Sequence, residues 1–163
     1  MQLPLSKDNY SGTINAALKK ITNPSSPNRN GEAILSGLGL WSGQNIVSEH
    51  SKYAESIKQK MKEAGASAVL NRSDIIWAHY APANLWYSVD FNIDYQLEFI
   101  VLAALAYKGD IEINWSGSKN LAATNIETVL SLTEEDYFTF QHIKQPQGIP
   151  IKNLKALFTC LGL

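Results

Sequence analysis

Cysteine is almost missing from this chain: Cys160 is the only one in 163 residues. A single thiol excludes an internal disulfide, and a cysteine-based metal site needs more than one. That usage fits a reducing, cytoplasmic setting. Charge is also scarce, at 18% of residues, with 14 Lys and Arg against 15 Asp and Glu for a net charge of −1. No global field therefore draws the chain to nucleic acid or to an anionic membrane. Long hydrophobic runs are missing too. The longest, Phe99–Tyr107, has nine residues, well short of the roughly 20 that cross a bilayer. Met1-Gln2-Leu3-Pro4-Leu5-Ser6 lacks a basic segment followed by an apolar one, so it does not read as a secretory signal.

What is present is an ordinary globular composition, 45% hydrophobic, without repeats or low-complexity tracts. A chain of this length hides roughly 70% of its extended surface on folding, enough for one core. It reads as one domain in three parts: an N-terminal helix and flexible loop (1–30), a central core (31–124) and a C-terminal helical extension (125–163). Charge is uneven between the halves, +3 over residues 1–81 and −4 over residues 82–163. Between Arg72 and Lys108 there is no Lys or Arg, while Asp74, Asp90, Asp94 and Glu98 all fall there.

Ser11 is a candidate cap for a first helix with Ile14, Ala17, Leu18 and Ile21 on one face. Residues 22–30, with Pro24 and Pro27, read as a loop and as the most flexible stretch. A short helix from Gly31 to Leu38 turns Ile34, Leu35 and Leu38 inward. Over 49–64 the spacing predicts an amphipathic helix with Tyr53, Ile57, Met61 and Ala64 as its stripe and Gly65 as its stop. Val69–Ile76 passes from an extended piece into a helix start capped by Asn71 or Ser73. Residues 77–91 are aromatic-rich and irregular.

Asn92 then caps a strongly apolar helix, 93–107, which reads as core. Ile111, Ile113 and Trp115 alternate as a strand, Ser116-Gly117-Ser118 turns, and 119–123 returns. Thr124–Glu127 opens a short helix with Val129 and Leu130, and Pro150 opens a last one striped by Ile151, Leu154, Leu157, Phe158 and Leu161. The fold class is α+β, mainly helical. Helices followed by a β-hairpin over 49–124 give the core a winged-helix-like order.

Chemistry-bearing motifs are thin. His50, His79 and His142 lack metal-ligand spacing, and His50 and His79 read as a surface and a packing residue. Gly37–Gly43 is glycine-rich, but Gln44-Asn45 stand where a phosphate loop needs Lys and then Ser or Thr, so the glycines read as a turn after a helix. Glu134-Glu135-Asp136 decorate a helix N-terminus, and Ser42 lacks the nucleophile-elbow pattern. No catalytic residue, metal ligand or cofactor site is expected.

Two binding readings remain. Lys52, Lys58, Lys60 and Lys62, with Lys119 at the wing, are the candidate phosphate contacts of a winged-helix DNA-binding module. Against it, helix 93–107 offers Asp94, Gln96 and Glu98 where a recognition helix would carry basic groups. Trp77, Tyr80, Trp86 and Tyr87, with no basic residue close in sequence, are the candidate protein-partner surface.

Four segments resemble a known family: Ser51–Ala54, Val69–Ile76, Phe99–Ile111 and Phe140–Pro146, followed by the Leu154–Leu163 helix. Over residues 30–163 the chain is similar to an internal region of the large ATPases of BREX-type phage-defence systems. The resemblance implies a non-catalytic structural and protein-interaction piece of a bacterial, cytoplasmic defence protein. The family's nucleotide-binding loop has no counterpart here, so any ATPase activity would lie elsewhere in a larger protein. An end on Cys160-Leu161-Gly162-Leu163 also suits an excised domain.

Overall fold

A computed structural model describes residues 7–65, 68–78 and 86–146. Helix α1 (Lys7–Thr22) starts before Ser11, which therefore lies inside it and does not cap it. Ile14, Ala17, Leu18 and Ile21 are all buried, as their spacing predicts. Helix α2 (Arg29–Gly37) is capped by Asn28, whose side-chain oxygen accepts from the Gly31 N–H at 2.9 Å. The same side chain donates to the Ala16 carbonyl at 2.8 Å, tying α2 to α1. The two helices meet so closely that a Cβ on Gly31 would lie 2.8 Å from Lys20 Cβ; only glycine allows that approach. Lys20 is itself buried, with Nζ 2.5 Å from the Ser26 carbonyl oxygen and 4.7 Å over the Trp41 ring. The loop expected to be loose is thus tied down at several points.

Leu40 follows Gly39, which has φ +75° and no room for a Cβ against the His50 carbonyl oxygen, 2.7 Å away. The glycines do turn the chain after a helix, and they lead into a hairpin of β1 (Trp41–Ser42) and β2 (Asn45–Ile46). Helix α3 (Lys52–Ala64) is capped by Ser51, whose Oγ accepts from Ala54 N–H at 3.2 Å. Tyr53, Ala54, Ile57 and Met61 form its buried face. Ala64, assigned to that stripe from spacing, is exposed, because the helix runs off its neighbours in its last turn.

Strand β3 (Val69–Asn71) leads directly into a single turn, α4 (Arg72–Ile75). Of the two candidate caps it is Asn71 that takes the position, its N–H donating to Asp74 at 3.0 Å. The segment expected to be irregular instead contains paired strands, β4 (Ile76–Ala78) and β5 (Trp86–Ser88), with Trp77 opposite Tyr87. Its alternation, Ile76 and Ser88 inward against Trp77 outward, is too short to stand out among so many aromatics.

Helix α5 (Tyr95–Tyr107) is the centre of the core. Its apolar residues surround the axis, and Phe99 through Ala106 are all buried, as expected for a helix hydrophobic on every side. Its cap is Asp94, accepting from Gln96 N–H at 2.8 Å. Asn92 cannot cap it, since Phe91 and Asn92 form a left-handed turn at φ 69° and 53° ahead of the helix.

Strands β6 (Glu112–Asn114) and β7 (Asn120–Leu121) make the expected hairpin, with Ile111, Ile113 and Trp115 buried. The following segment is a 3-10 helix over Ala123–Ser131, kinked at Asn125, whose side chain accepts from Ala122 N–H at 2.7 Å. Asn125 therefore replaces the Thr124 capping box; Val129 is buried and Leu130 is 43% exposed. A last turn, α6 (Asp136–Thr139), precedes β8 (His142–Lys144), which enters the sheet between β3 and β6 in the order β3-β8-β6-β7. The fold is α+β, helices over small antiparallel sheets. Helices followed by a hairpin are compatible with a winged-helix-like centre, to which β8 adds a strand. The C-terminal stripe from Ile151 lies outside the described residues.

Candidate interaction surface

The five candidate lysines do not share a face. Lys58 and Lys60 leave opposite flanks of the buried stripe of α3, as their two-residue separation dictates at 100° per residue. Lys58 is paired with Glu55 at 2.9 Å and donates to Ser48 Oγ at 3.0 Å. Lys60 is paired with Asp90 at 2.9 Å and donates to the Asp74 carbonyl at 2.9 Å. Lys52 lies over the rings of Tyr53 and Phe91, 5.2 and 5.1 Å from their centroids. Lys119 is held by Asp136 at 2.8 Å and lies over Trp115. Lys62 alone of the five is exposed with no partner among the described residues.

These pairings also give the aromatic segment basic neighbours in space that it lacks in sequence. The basic gap between Arg72 and Lys108 exists only along the chain. In space α3 fills it: Ser56 and Lys60 hold Asp90, and their hydrogen bonds keep its carboxyl below the usual range. Arg72 lies 5.1 Å over the Trp86 ring. Burial alone would raise Asp136, but Lys119 and the Thr133 amide hold it below its ordinary value.

The four aromatic candidates separate. Trp86 turns inward and stacks on Phe138 at 5.6 Å, so it is packing. Trp77 is 41% exposed and, with half-buried Tyr87 opposite, forms the outer side of the β4–β5 pair. Val89 follows on the same side by alternation, and its N–H bonds Ile75 O to extend the pairing. Phe91, which the sequence did not single out as a site, is 49% exposed and meets Tyr53 edge-on at 5.3 Å. Its left-handed backbone is strained for a bulky side chain. Tyr80 and His79 lie outside the described residues. His50 is exposed, as expected.

Under this surface sits Glu98. The residue is 4% exposed on α5, and its carboxyl has no hydrogen-bond partner among the described residues. Burial pushes its pKa up to about 8; Lys60 opposes the shift and Asp90 adds to it. Glu98 and Gln96, which a recognition helix would have to turn toward a polyanion, are both core residues.

On another side of α5, sequence reasoning missed a cavity of about 330 Å³ lined by Gly12, Ile14, Asn15, Gln96, Leu132, Glu134 and Tyr137. Glu134 Oε1 accepts from Tyr95 OH at 2.6 Å and from Gln96 Nε2 at 3.0 Å. Burial, then this hydrogen bond, raises the Tyr95 pKa, so its hydroxyl serves as a donor and not as a base. Glu134 lies two residues ahead of α6, next to the helix N-terminus where the acidic triplet places it, but nothing in sequence joins it to Tyr95, 39 residues away. No group of His, Cys, Asp and Glu among the described residues could hold a metal ion.

A family model described as the fourth domain of a family of unknown function, DUF6079, matches residues 10–145. This chain belongs to that family. The matched span runs from α1 through β8, so it takes in the cavity, the β4–β5 pair and the whole sheet. No curated protein and no solved structure matches the chain. No helix among the described residues is long and apolar enough to cross a membrane.

Proposed function

We propose that this family's fourth domain is a non-catalytic interaction module, one piece of a large bacterial phage-defence ATPase of the BREX type, that docks a neighbouring protein surface on its β4–β5 face. The observation that carries this reading is the outer side of the β4–β5 pair, Trp77 and Tyr87, followed by exposed Val89 and Phe91 in the turn after β5. Three of these large apolar side chains are more than 40% exposed, and aromatic residues are enriched where protein surfaces bury one another. The family description, a fourth domain, supports a place within a multidomain protein. The segments that resemble the BREX ATPases fall mostly on packing elements: the α3 start, β3–α4, α5 and β8. They support kinship of fold and carry no catalytic role.

The alternative, a winged-helix DNA-binding module, is weakened by the pairing of Lys58, Lys60 and Lys119 with carboxylates. Each would have to exchange its partner for a phosphate. A photo-crosslinking amino acid at position 77 of a full-length family member tests the docking reading. Crosslinks from position 77 to another domain or to a partner protein would support it. Crosslinks confined to the domain's own residues would refute it.

A further inference from the structure

The cavity beside α5 has the chemistry of a ligand site that the docking face does not use. At its exposed edge is a carboxylate already oriented by two donors. Glu134 spends Oε1 on Tyr95 and Gln96, and Gln96 is itself only 6% exposed, so the carboxylate is held in place by a buried group. Oε2 has no partner among the described residues. Tyr137 also lines the cavity at 9% exposure, and its hydroxyl likewise has no hydrogen-bond partner among them. A tyrosine hydroxyl on the wall of a pocket can both donate to and accept from a bound group. Exposed Asn15 adds a carboxamide with no hydrogen-bond partner among the described residues, and Ile14 and Leu132 add apolar wall.

The lining contains no Lys or Arg. The nearest candidate from the wing, Lys119, is committed to Asp136 at 2.8 Å. An acceptor-rich, negatively charged cavity with an apolar wall fits a group that donates several hydrogen bonds, carries positive charge and ends in a short alkyl stem. We propose that this cavity binds an alkylammonium or guanidinium group, with Glu134 as its counter-ion, Tyr137 and Asn15 as further hydrogen-bond partners, and Ile14 and Leu132 against its stem. The volume of about 330 Å³ is at the small end for ligand pockets, enough for one such chain. That group can belong to a free amine or to the basic side chain of a protein.

Titration calorimetry on the intact chain separates the cases. The probes are agmatine and n-butylammonium as free cations, acetyl-Gly-Arg-Gly-amide as a side-chain carrier, and n-butanol as the neutral control. A cation should bind saturably at one site and butanol should not. Tighter binding of the tripeptide assigns the site to a protein side chain, and tighter binding of a free amine assigns it to a small molecule. Glu134→Gln should weaken cation binding by about tenfold or more, the loss of one charge-assisted hydrogen bond. Glu135→Gln, next to it but outside the cavity, should change nothing. Because Glu134→Gln also touches Tyr95, Asn15→Trp provides a second arm: it occludes the cavity from an exposed position and should abolish binding in a chain of unchanged circular dichroism. Equal binding of butanol, undiminished binding in either cavity variant, or no saturable binding of any cation at millimolar concentration would overturn the proposal.

Discussion

Glu98 offers a stability prediction whose size follows from the structure. Its carboxyl is buried, and its pKa is raised from an ordinary 4.5 to about 8. The folded protein therefore holds a proton on Glu98 at pH values where the unfolded chain has released it. Stability from this group is complete below the unfolded value, and it drains away as pH rises through the interval up to the folded value. With those two values, linkage gives a loss of roughly 3.5 kcal/mol between pH 5 and pH 8, at about 1.4 kcal/mol per pH unit. Glu98→Gln cannot titrate, so its stability should be flatter over the same interval by that amount. The neutral amide adds a pH-independent cost for its own buried polar atoms, on the order of 1–3 kcal/mol, which moves the curve without tilting it. Urea unfolding of both proteins from pH 5 to pH 8 reads the difference in slope. Parallel curves would refute the argument, because they would mean that Glu98 titrates alike in both states or reaches water or a partner.

Removing the opposing cation should extend this behaviour: Lys60→Met takes away the charge that lowers the folded Glu98 pKa, so the loss should begin at the same pH but continue to higher pH and be larger in total, read by repeating the unfolding series. Gly31→Ala places a Cβ against the α1 backbone and Lys20, and should cost about 1–3 kcal/mol by overpacking, measured as a lower unfolding midpoint. Asn28→Ala removes both the α2 cap and the bond to Ala16. It should cost about 2 kcal/mol and make the 23–28 link the first site of limited proteolysis. Labelled single- and double-stranded DNA should show little binding in anisotropy titrations, even at low salt. Micromolar affinity falling steeply with salt would restore the phosphate-contact reading.

Legibility from sequence followed the range of the interactions involved. The helical stripes of α1, α2 and α3, the buried character of α5 and the β6–β7 hairpin depend on local periodicity, and they are where the pattern puts them. Element ends were harder to read, since competing caps sit within two or three residues of each other. Asp94 displaces Asn92 only because the preceding turn is left-handed, and Asn125 displaces Thr124 through a bond back to Ala122. The strands β4, β5 and β8 are as short as β6 but lack its flanking Ile111 and Trp115, which carry the alternation past the strand ends.

The candidate sites depended most on distance in sequence, and were the least legible. Lys60 meets Asp90 across thirty residues, Arg72 lies over the Trp86 ring, and Tyr95 bonds the cavity's Glu134 across 39 residues. One local signal was available and went unused. A Glu inside an otherwise apolar helix, at position 98 between Leu97 and Phe99, has nowhere to go but the interior.

The central claim is that the β4–β5 face is covered in the working protein. Hydrogen–deuterium exchange of the 163-residue chain against a full-length family member tests it directly, with the amides of 86–91 as the readout. The account predicts slower exchange there in the full-length protein, while the α5 amides, buried in both, are unchanged. Equal exchange over 86–91 in the two proteins would contradict it.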